Sequence, residues 1–309
     1  MLDDDETPLI NRDDLSHTYV IANGKGGVGK TTLASNFAGL VAADGGRVLL
    51  VDVNGQGNVG RDLGYRNTAI DDEGEAFYEA LRTGRPLTPV RDPKRAGLDV
   101  VVGGHHIGAA PDMLNATYRL QAHRQALALA VCLAPIAPEY DLVVLDSAPE
   151  NPPLQQLALS AARWMIAPTR SDNASITDGL GSISRQVQLV RRSVNPDLQL
   201  LGVVLYATGS ASKQIHRNAR QWITEELGTD AYLLDTIVRY SEAVGQDARR
   251  HGQLIHELEE AVASNPSFWD LRAGRSTGTV VSTTSASVAE DLATLAREIL
   301  TRANDEEAA

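Results

Sequence analysis

Apolar residues along the chain fall into short unbroken runs separated by longer amphipathic stretches. The runs are Thr18-Tyr19-Val20-Ile21-Ala22, Val48-Leu49-Leu50-Val51, Leu98 to Val102, Leu142-Val143-Val144-Leu145, and residues 198–206, which are interrupted only by Gln199 and Gly202. Continuous apolar runs of this length, without alternation, mark strands covered on both faces, as in a parallel sheet. Gly202 is read as a point of close backbone approach. Between the runs, residues 31–44 carry Leu33, Phe37, Leu40 and Val41 at helical spacing and close on Gly45-Gly46. Helices are also expected at 72–81, at 113–133 as one long element ended by Pro135, at 212–227 and at 241–251, with a short strand at 232–238. Strand and helix alternate to about residue 262 without a linker, which favours a single α/β domain over residues 17–309. Residues 1–16 read as an acidic flexible tail, 265–287 as a long mobile loop, and 288–303 as an amphipathic helix.

The first run leads directly into Gly24-Lys25-Gly26-Gly27-Val28-Gly29-Lys30-Thr31-Thr32. The spacing G-x-x-x-x-G-K-[ST] lets successive backbone N–H groups turn inward around phosphate oxygens, while the following helix points its positive end at the same anion. Lys30 is then placed for the β- and γ-phosphates and the Thr31 hydroxyl for Mg²⁺. The same glycines also satisfy G-x-G-x-x-G, and Asp52 lies where a dinucleotide fold keeps its ribose-binding acid. Two features decide against that reading. A dinucleotide site has no use for Lys30-Thr31, and it needs no second carboxylate strand such as Leu142-Val143-Val144-Leu145-Asp146. An acid at the carboxyl end of a central strand faces the ligand crevice, so Asp146 is assigned to Mg²⁺, with capping of a following helix as the structural alternative.

Lys-Gly-Gly-Val-Gly-Lys-Thr-Thr at 25–32, then a strand ending in Asp52 and followed by Gln56-Gly57-Asn58, then Tyr140-Asp141-Leu142-Val143-Val144-Leu145-Asp146, resembles the ParA/MinD family of deviant Walker A ATPases. Within it the chain looks most like the ParA-type partition ATPases. The similarity runs over roughly residues 18–262, and Ala161 to Thr169 looks like the family's fifth strand and following turn. The resemblance implies an α/β, P-loop NTPase-like three-layer sandwich with a mostly parallel central sheet. It also implies ATP and Mg²⁺ as cofactors, Thr31, Asp52 and Asp146 around the metal, and residues 24–32 (Gly24, Lys25, Gly26, Gly27, Val28, Gly29, Lys30, Thr31, Thr32) around the phosphates. Lys25, Lys30, Asp52 and position 54 are its catalytic set, with Lys25 reaching the nucleotide of a partner subunit in an ATP-dependent homodimer. The turns after Tyr206 and Val238 are expected to border the adenine. Where the family has a second aspartate that orients the attacking water this chain has Asn54, and where it has proline this chain has Gly55, so slow hydrolysis is expected.

Net charge is −12, which at first sight disfavours nucleic acid. Residues 1–14 hold −5 of it and residues 290–309 hold −4, leaving −3 for everything between. Within that body Arg185, Arg191 and Arg192 share one expected helix and Lys213, Arg217 and Arg220 share a helical face. These residues, with Arg249 and Arg250, are the candidates for non-specific DNA contacts, although scattered arginines are also what ordinary solvated helices carry. One cysteine, Cys132, excludes internal disulfides and Cys-based metal sites and fits a reducing cytosol. His105-His106 invites a metal reading, but adjacent side chains diverge on a strand and no acid or Cys lies at ligand spacing. No apolar run reaches the ~20 residues of a membrane span, and the acidic C-terminus lacks the basic helix that a MinD-like lipid cycle needs. A soluble, cytoplasmic, nucleoid-associated partition ATPase with a ParB-like partner is therefore expected. The alternatives are a MinD-like positioning ATPase and a nucleotide-gated scaffold of very weak turnover. Metabolic and targeting ATPases on this scaffold are disfavoured, because three Met and one Cys supply neither a methionine-rich groove nor a metal site.

Overall fold

The apolar runs become the strands of one sheet. The computed structural model describes residues 10–119, 121–149, 151–208, 213–239, 242–258 and 285–308. Its strands are β1 (Thr18–Ile21), β2 (Val48–Val53), β3 (Val90–Arg91), β4 (Leu98–Val101), β5 (Leu142–Ser147), β6 (Trp164–Thr169), β7 (Gln199–Thr208) and β8 (Leu233–Arg239), in the spatial order β3-β4-β2-β5-β1-β6-β7-β8. Every pairing is parallel except β3 with β4. Two-residue β3 has no apolar run to announce it and escapes the pattern reading.

Helices cover both faces because β1, β2, β5 and β6 are buried at every position. On one face α1 (Lys30–Ala43), α2 (Asn58–Leu63), α10 (Glu242–His251) and the helix Ser285–Ala308 pack on Tyr19, Ile21, Leu50, Val144 and Trp164. On the other, α3 (Glu75–Thr83), α6 (Ala122–Leu133), α7 (Pro152–Ala161), α8 (Asn173–Ser193) and α9 (Lys213–Leu227) pack on Val20, Leu49, Val51, Leu145 and Met165. This is the expected three-layer sandwich, with even and odd strand positions feeding opposite layers.

Several local expectations change. The helix read across 113–133 is two helices, α5 (Ala110–Tyr118) and α6, because Arg119 turns to φ +41 and interrupts the hydrogen-bond ladder. His105 and His106 lie on a short helix, α4 (His105–Gly108), rather than a strand. The terminal helix is longer than 288–303 at both ends and begins at Ser285, inside the expected mobile loop; residues 265–284 of that loop fall outside the described residues. Within the expected flexible tail, Arg12–Leu15 form a turn that is docked on the body: Leu15 is buried, and Arg12 donates to the carbonyls of Ser160 at 2.6 Å and Val194 at 2.7 Å. At Gly202 the close neighbour is the Leu234 side chain of β8, where a Cβ would stand 2.7 Å from Leu234 Cγ, and not another backbone. The turns expected to border adenine begin past Thr208 and Arg239, at residues outside the described set.

A candidate nucleotide site at the carboxyl edge of the sheet

The loop between β1 and α1 lies at the centre of the sheet, where parallel strands point their carboxyl ends at one crevice. Buried Asn23 anchors it: Nδ2 donates to the Pro168 carbonyl at 2.9 Å and Oδ1 accepts from Lys25 N at 2.8 Å. Gly27 at φ +72 and Gly29 at φ +91 then turn the backbone through the left-handed region into the first turn of α1. Such a curl aims consecutive N–H groups at one point, and the helix start adds its partial positive charge. Lys30 folds back over the loop, with Nζ donating to the Lys25 carbonyl at 2.7 Å.

Asp52 and Asp146 are register partners at the ends of adjacent β2 and β5, and both are fully buried. Asp146 Oδ2 accepts the Thr31 hydroxyl at 2.7 Å, and Asp52 Oδ2 accepts from Val59 N at 3.2 Å. The other oxygen of each carboxylate is buried with no hydrogen-bond partner among the described residues. Burial, then the neighbouring Asp146, pushes Asp52 well above the usual carboxylate range. Burial also raises Asp146, opposed by the Thr31 hydroxyl and Lys30 and reinforced by Asp62. Two orphaned carboxylate oxygens beside a threonine hydroxyl at a phosphate cradle form a donor set made of hard oxygen ligands, which suits Mg²⁺. Helix capping is not the role of Asp146, since α7 is capped by Asn151.

Asn54 is buried at the end of β2, and its Oδ1 accepts from Gln56 N at 2.9 Å, closing the turn. Lys25 projects from the loop to Asp172 at 3.4 Å, with both side chains substantially exposed. Beside them opens a cleft lined by Gly26, Gly27, Asn54, Gln56, His105 and Asp112. A narrower recess shares Gly27 and Asn54 and is lined further by Lys30, Thr31, Thr32 and Arg249.

A family model described as an AAA domain matches residues 16–200, which takes in the loop, both acids and β1 to β6. The chain is 33% identical over 231 residues to the chromosome partitioning protein ParA of Caulobacter vibrioides, covering 72% of this chain and 82% of that protein. It is 37% identical over 185 residues to the chromosome-partitioning ATPase Soj of Thermus thermophilus, covering 60% of this chain and 67% of that one. This chain belongs to the ParA-type partition ATPase family. Among solved structures it is similar to the cobyrinic acid a,c-diamide synthase of Mycobacterium smegmatis with bound ADP and magnesium, at 25% identity and TM-score 0.61, with 76% and 91% of the two chains covered.

In this ParA-family ATPase the loop residues, Thr31, Asp52, Asn54 and Asp146 lie together at the carboxyl edge of the sheet, whereas the basic candidates do not form one group. Arg191 and Arg192 are exposed on the last turn of α8, Lys213 opens α9, and Arg217 is exposed on α9. Arg250 is exposed at the end of α10. Arg220 is engaged in tying α9 to β8, donating to the Leu234 and Asp235 carbonyls at 3.2 Å. Arg249, also exposed, lines the recess beside Lys30, Thr31 and Thr32. Pattern reading missed Asn23 and Asp172, which bond Lys25 N and Ser175 close by as well as distant partners, and Asp62, whose partner Arg249 is distant in sequence. No helix among the described residues is long and apolar enough to cross a membrane.

Proposed function

We propose that this ATPase binds ATP with Mg²⁺ at the loop, closes into a homodimer across the Lys25 face, and in that state binds DNA without sequence preference until a ParB-like partner stimulates hydrolysis. The metal would neutralise phosphate charge and lie against Thr31, Asp146 and Asp52, whose unpartnered oxygens support this role. The observation that carries the dimer is Lys25. Its Nζ is not needed by the loop of its own subunit, which uses the Lys25 backbone carbonyl to hold Lys30. Among the described residues it is held by a 3.4 Å surface ion pair with Asp172, and exposed pairs of this kind are worth under about 1 kcal/mol, so turning to a second subunit's nucleotide costs little. The open cleft beside it offers the surface to be covered. Against a lipid-cycling reading, Asp305, Glu306 and Glu307 stand exposed at the end of the terminal helix, where anionic headgroups would repel them.

Light scattering with ATP and Mg²⁺ is expected to show dimers for the wild type and monomers for Lys25→Ala; equal dimer fractions overturn the proposal. DNA retention by the same two proteins should follow dimerisation, with log affinity falling by about 0.9 per phosphate contacted against log salt. Retention that survives high salt, or that follows lipid vesicles instead, counts against a partition role.

Turnover is proposed to be slow because Asn54 can hydrogen-bond a water but cannot accept its proton as a carboxylate can. A carboxylate at that position can still accept from Gln56 N, so Asn54→Asp preserves the turn. Single-turnover hydrolysis is expected to be faster in Asn54→Asp at unchanged ATP affinity. An unaltered rate there, with Asp52→Asn inactive yet still binding ATP, would move the water-orienting role to Asp52.

A further inference from the structure

Arg249 stands at the last turn of α10, far in sequence from the phosphate loop, yet it lines the recess formed by Lys30, Thr31 and Thr32. Its Nε donates to Asp62 Oδ1 of α2 at 3.0 Å. Asp62 is 7% exposed, while the arginine side chain is 52% exposed. Burial raises the Asp62 carboxyl, and Arg249 and the Thr32 hydroxyl at the start of α1 oppose that rise.

The placement is built from several directions. The ends of α2 and α10 meet at Gly64 and Gly252, where a Cβ on Gly64 would stand 2.7 Å from Gly252 Cα, so neither position has room for a side chain. Arg95, nearly buried, donates to the Leu63 carbonyl at 3.0 Å and the Gly252 carbonyl at 3.3 Å, gathering the carboxyl ends of both helices with one cation. It is itself held by Asp92 at 3.1 Å and Glu257 at 2.6 Å, and Lys94 Nζ adds a second bond to the Gly252 carbonyl at 3.1 Å. A rim ion pair needs no such scaffold. A guanidinium that must be presented to an anion at a fixed distance does, because its planar fork gains from orientation.

We propose that Arg249, oriented by Asp62, is a nucleotide ligand supplied within the same subunit, contacting the phosphate chain on its Thr31–Thr32 flank. This makes it distinct from the basic residues assigned to DNA, and adds a second cation to Lys30 around the phosphates. It offsets the charge of three carboxylates buried near one another behind the recess, Asp52, Asp62 and Asp146, which an incoming phosphate chain would otherwise meet as excess negative charge.

The inference rests on the ATP-site reading, and its test separates the two. Arg249→Gln keeps an amide that can donate to Asp62, so α10 stays docked, but it carries no charge; Arg249→Lys keeps the charge without the fork. Binding of a fluorescent ATP analogue with Mg²⁺ is expected to weaken about 10-fold or more in Arg249→Gln, the size of one charge-assisted hydrogen bond, and to be restored only in part in Arg249→Lys, which returns the charge without the fork. Melting of nucleotide-free Arg249→Lys should stay close to wild type, while Arg249→Gln should melt lower because Asp62 is left buried without its cation. Unchanged affinity in Arg249→Gln, or weakened affinity that Arg249→Lys does not restore even in part, overturns the assignment. A wild type that binds no ATP analogue would remove the ATP-site reading itself, whereas a wild type that binds beside an indifferent Arg249→Gln removes only this inference.

Discussion

Replacing Gly29 by alanine is expected to weaken ATP binding by at least ~100-fold and to lower the melting temperature by several degrees. Two causes add. At φ +91 a side chain is strained, which costs on the order of 1–3 kcal/mol. The added Cβ would also stand inside the envelope of the Tyr206 ring, which is 1% exposed on β7 and has nowhere to retreat. The loop would therefore have to lift off β7, and its N–H groups would cease to converge. Gly27 supplies the control: at φ +72 it carries similar strain, but a Cβ there meets nothing within 4 Å. Calorimetric titration with ATP and Mg²⁺ should show Gly27→Ala much less impaired than Gly29→Ala. Equal losses would mean that strain alone matters and that the Tyr206 wall does not.

Asp146→Asn is expected to abolish Mg²⁺-dependent turnover, by about 100-fold or more, while making the nucleotide-free protein more stable. The carboxylate is buried beside Asp52 with Asp62 in reach, and only Thr31 and Lys30 oppose its protonation. An amide removes the like-charge repulsion and can still accept the Thr31 hydroxyl. Each pKa unit of upward shift corresponds to about 1.4 kcal/mol, so relief of about 1–2 kcal/mol is expected at neutral pH, or roughly 2–6 °C in melting temperature. The pH dependence has a definite sign. A carboxyl whose folded pKa is raised binds protons more tightly when folded, so wild-type stability falls as pH climbs from about 4 through the raised folded value. The asparagine variant lacks that decline, and its advantage should widen across the same interval. Melting scans without nucleotide or metal between pH 4 and 8 measure it; an advantage that is constant or shrinks with pH would refute the buried-repulsion account.

The crevice was legible because its chemistry is local. Gly24 to Thr32 encodes a backbone curl within nine consecutive residues, and Asp52 and Asp146 are announced by the apolar strands they terminate. The break between α5 and α6 was not, because exposed Arg119 has no intrinsic preference for φ +41 and nothing in the surrounding helical pattern announces it. Asp62 and Arg249 were equally silent. An acid and a basic residue on two amphipathic helices look like solvated surface until the Gly64–Gly252 contact brings those helices together. Arg220 shows the converse, since a helical-face spacing that suggested a DNA surface is spent on carbonyls of β8.

The strand order also governs how the chain emerges from the ribosome. β1 pairs only with β5 and β6, so Thr18 must wait for Val143 and Tyr19 for Trp164. At about 5–20 residues per second that is an interval of roughly 6–30 seconds during which the phosphate loop is already synthesised but has no sheet to hang from. Tyr19, Val20 and Ile21 spend it without their eventual neighbours, which makes this segment the natural client of a holding chaperone. A ribosome stalled before β5 should present it to proteases, and one stalled after β6 should not.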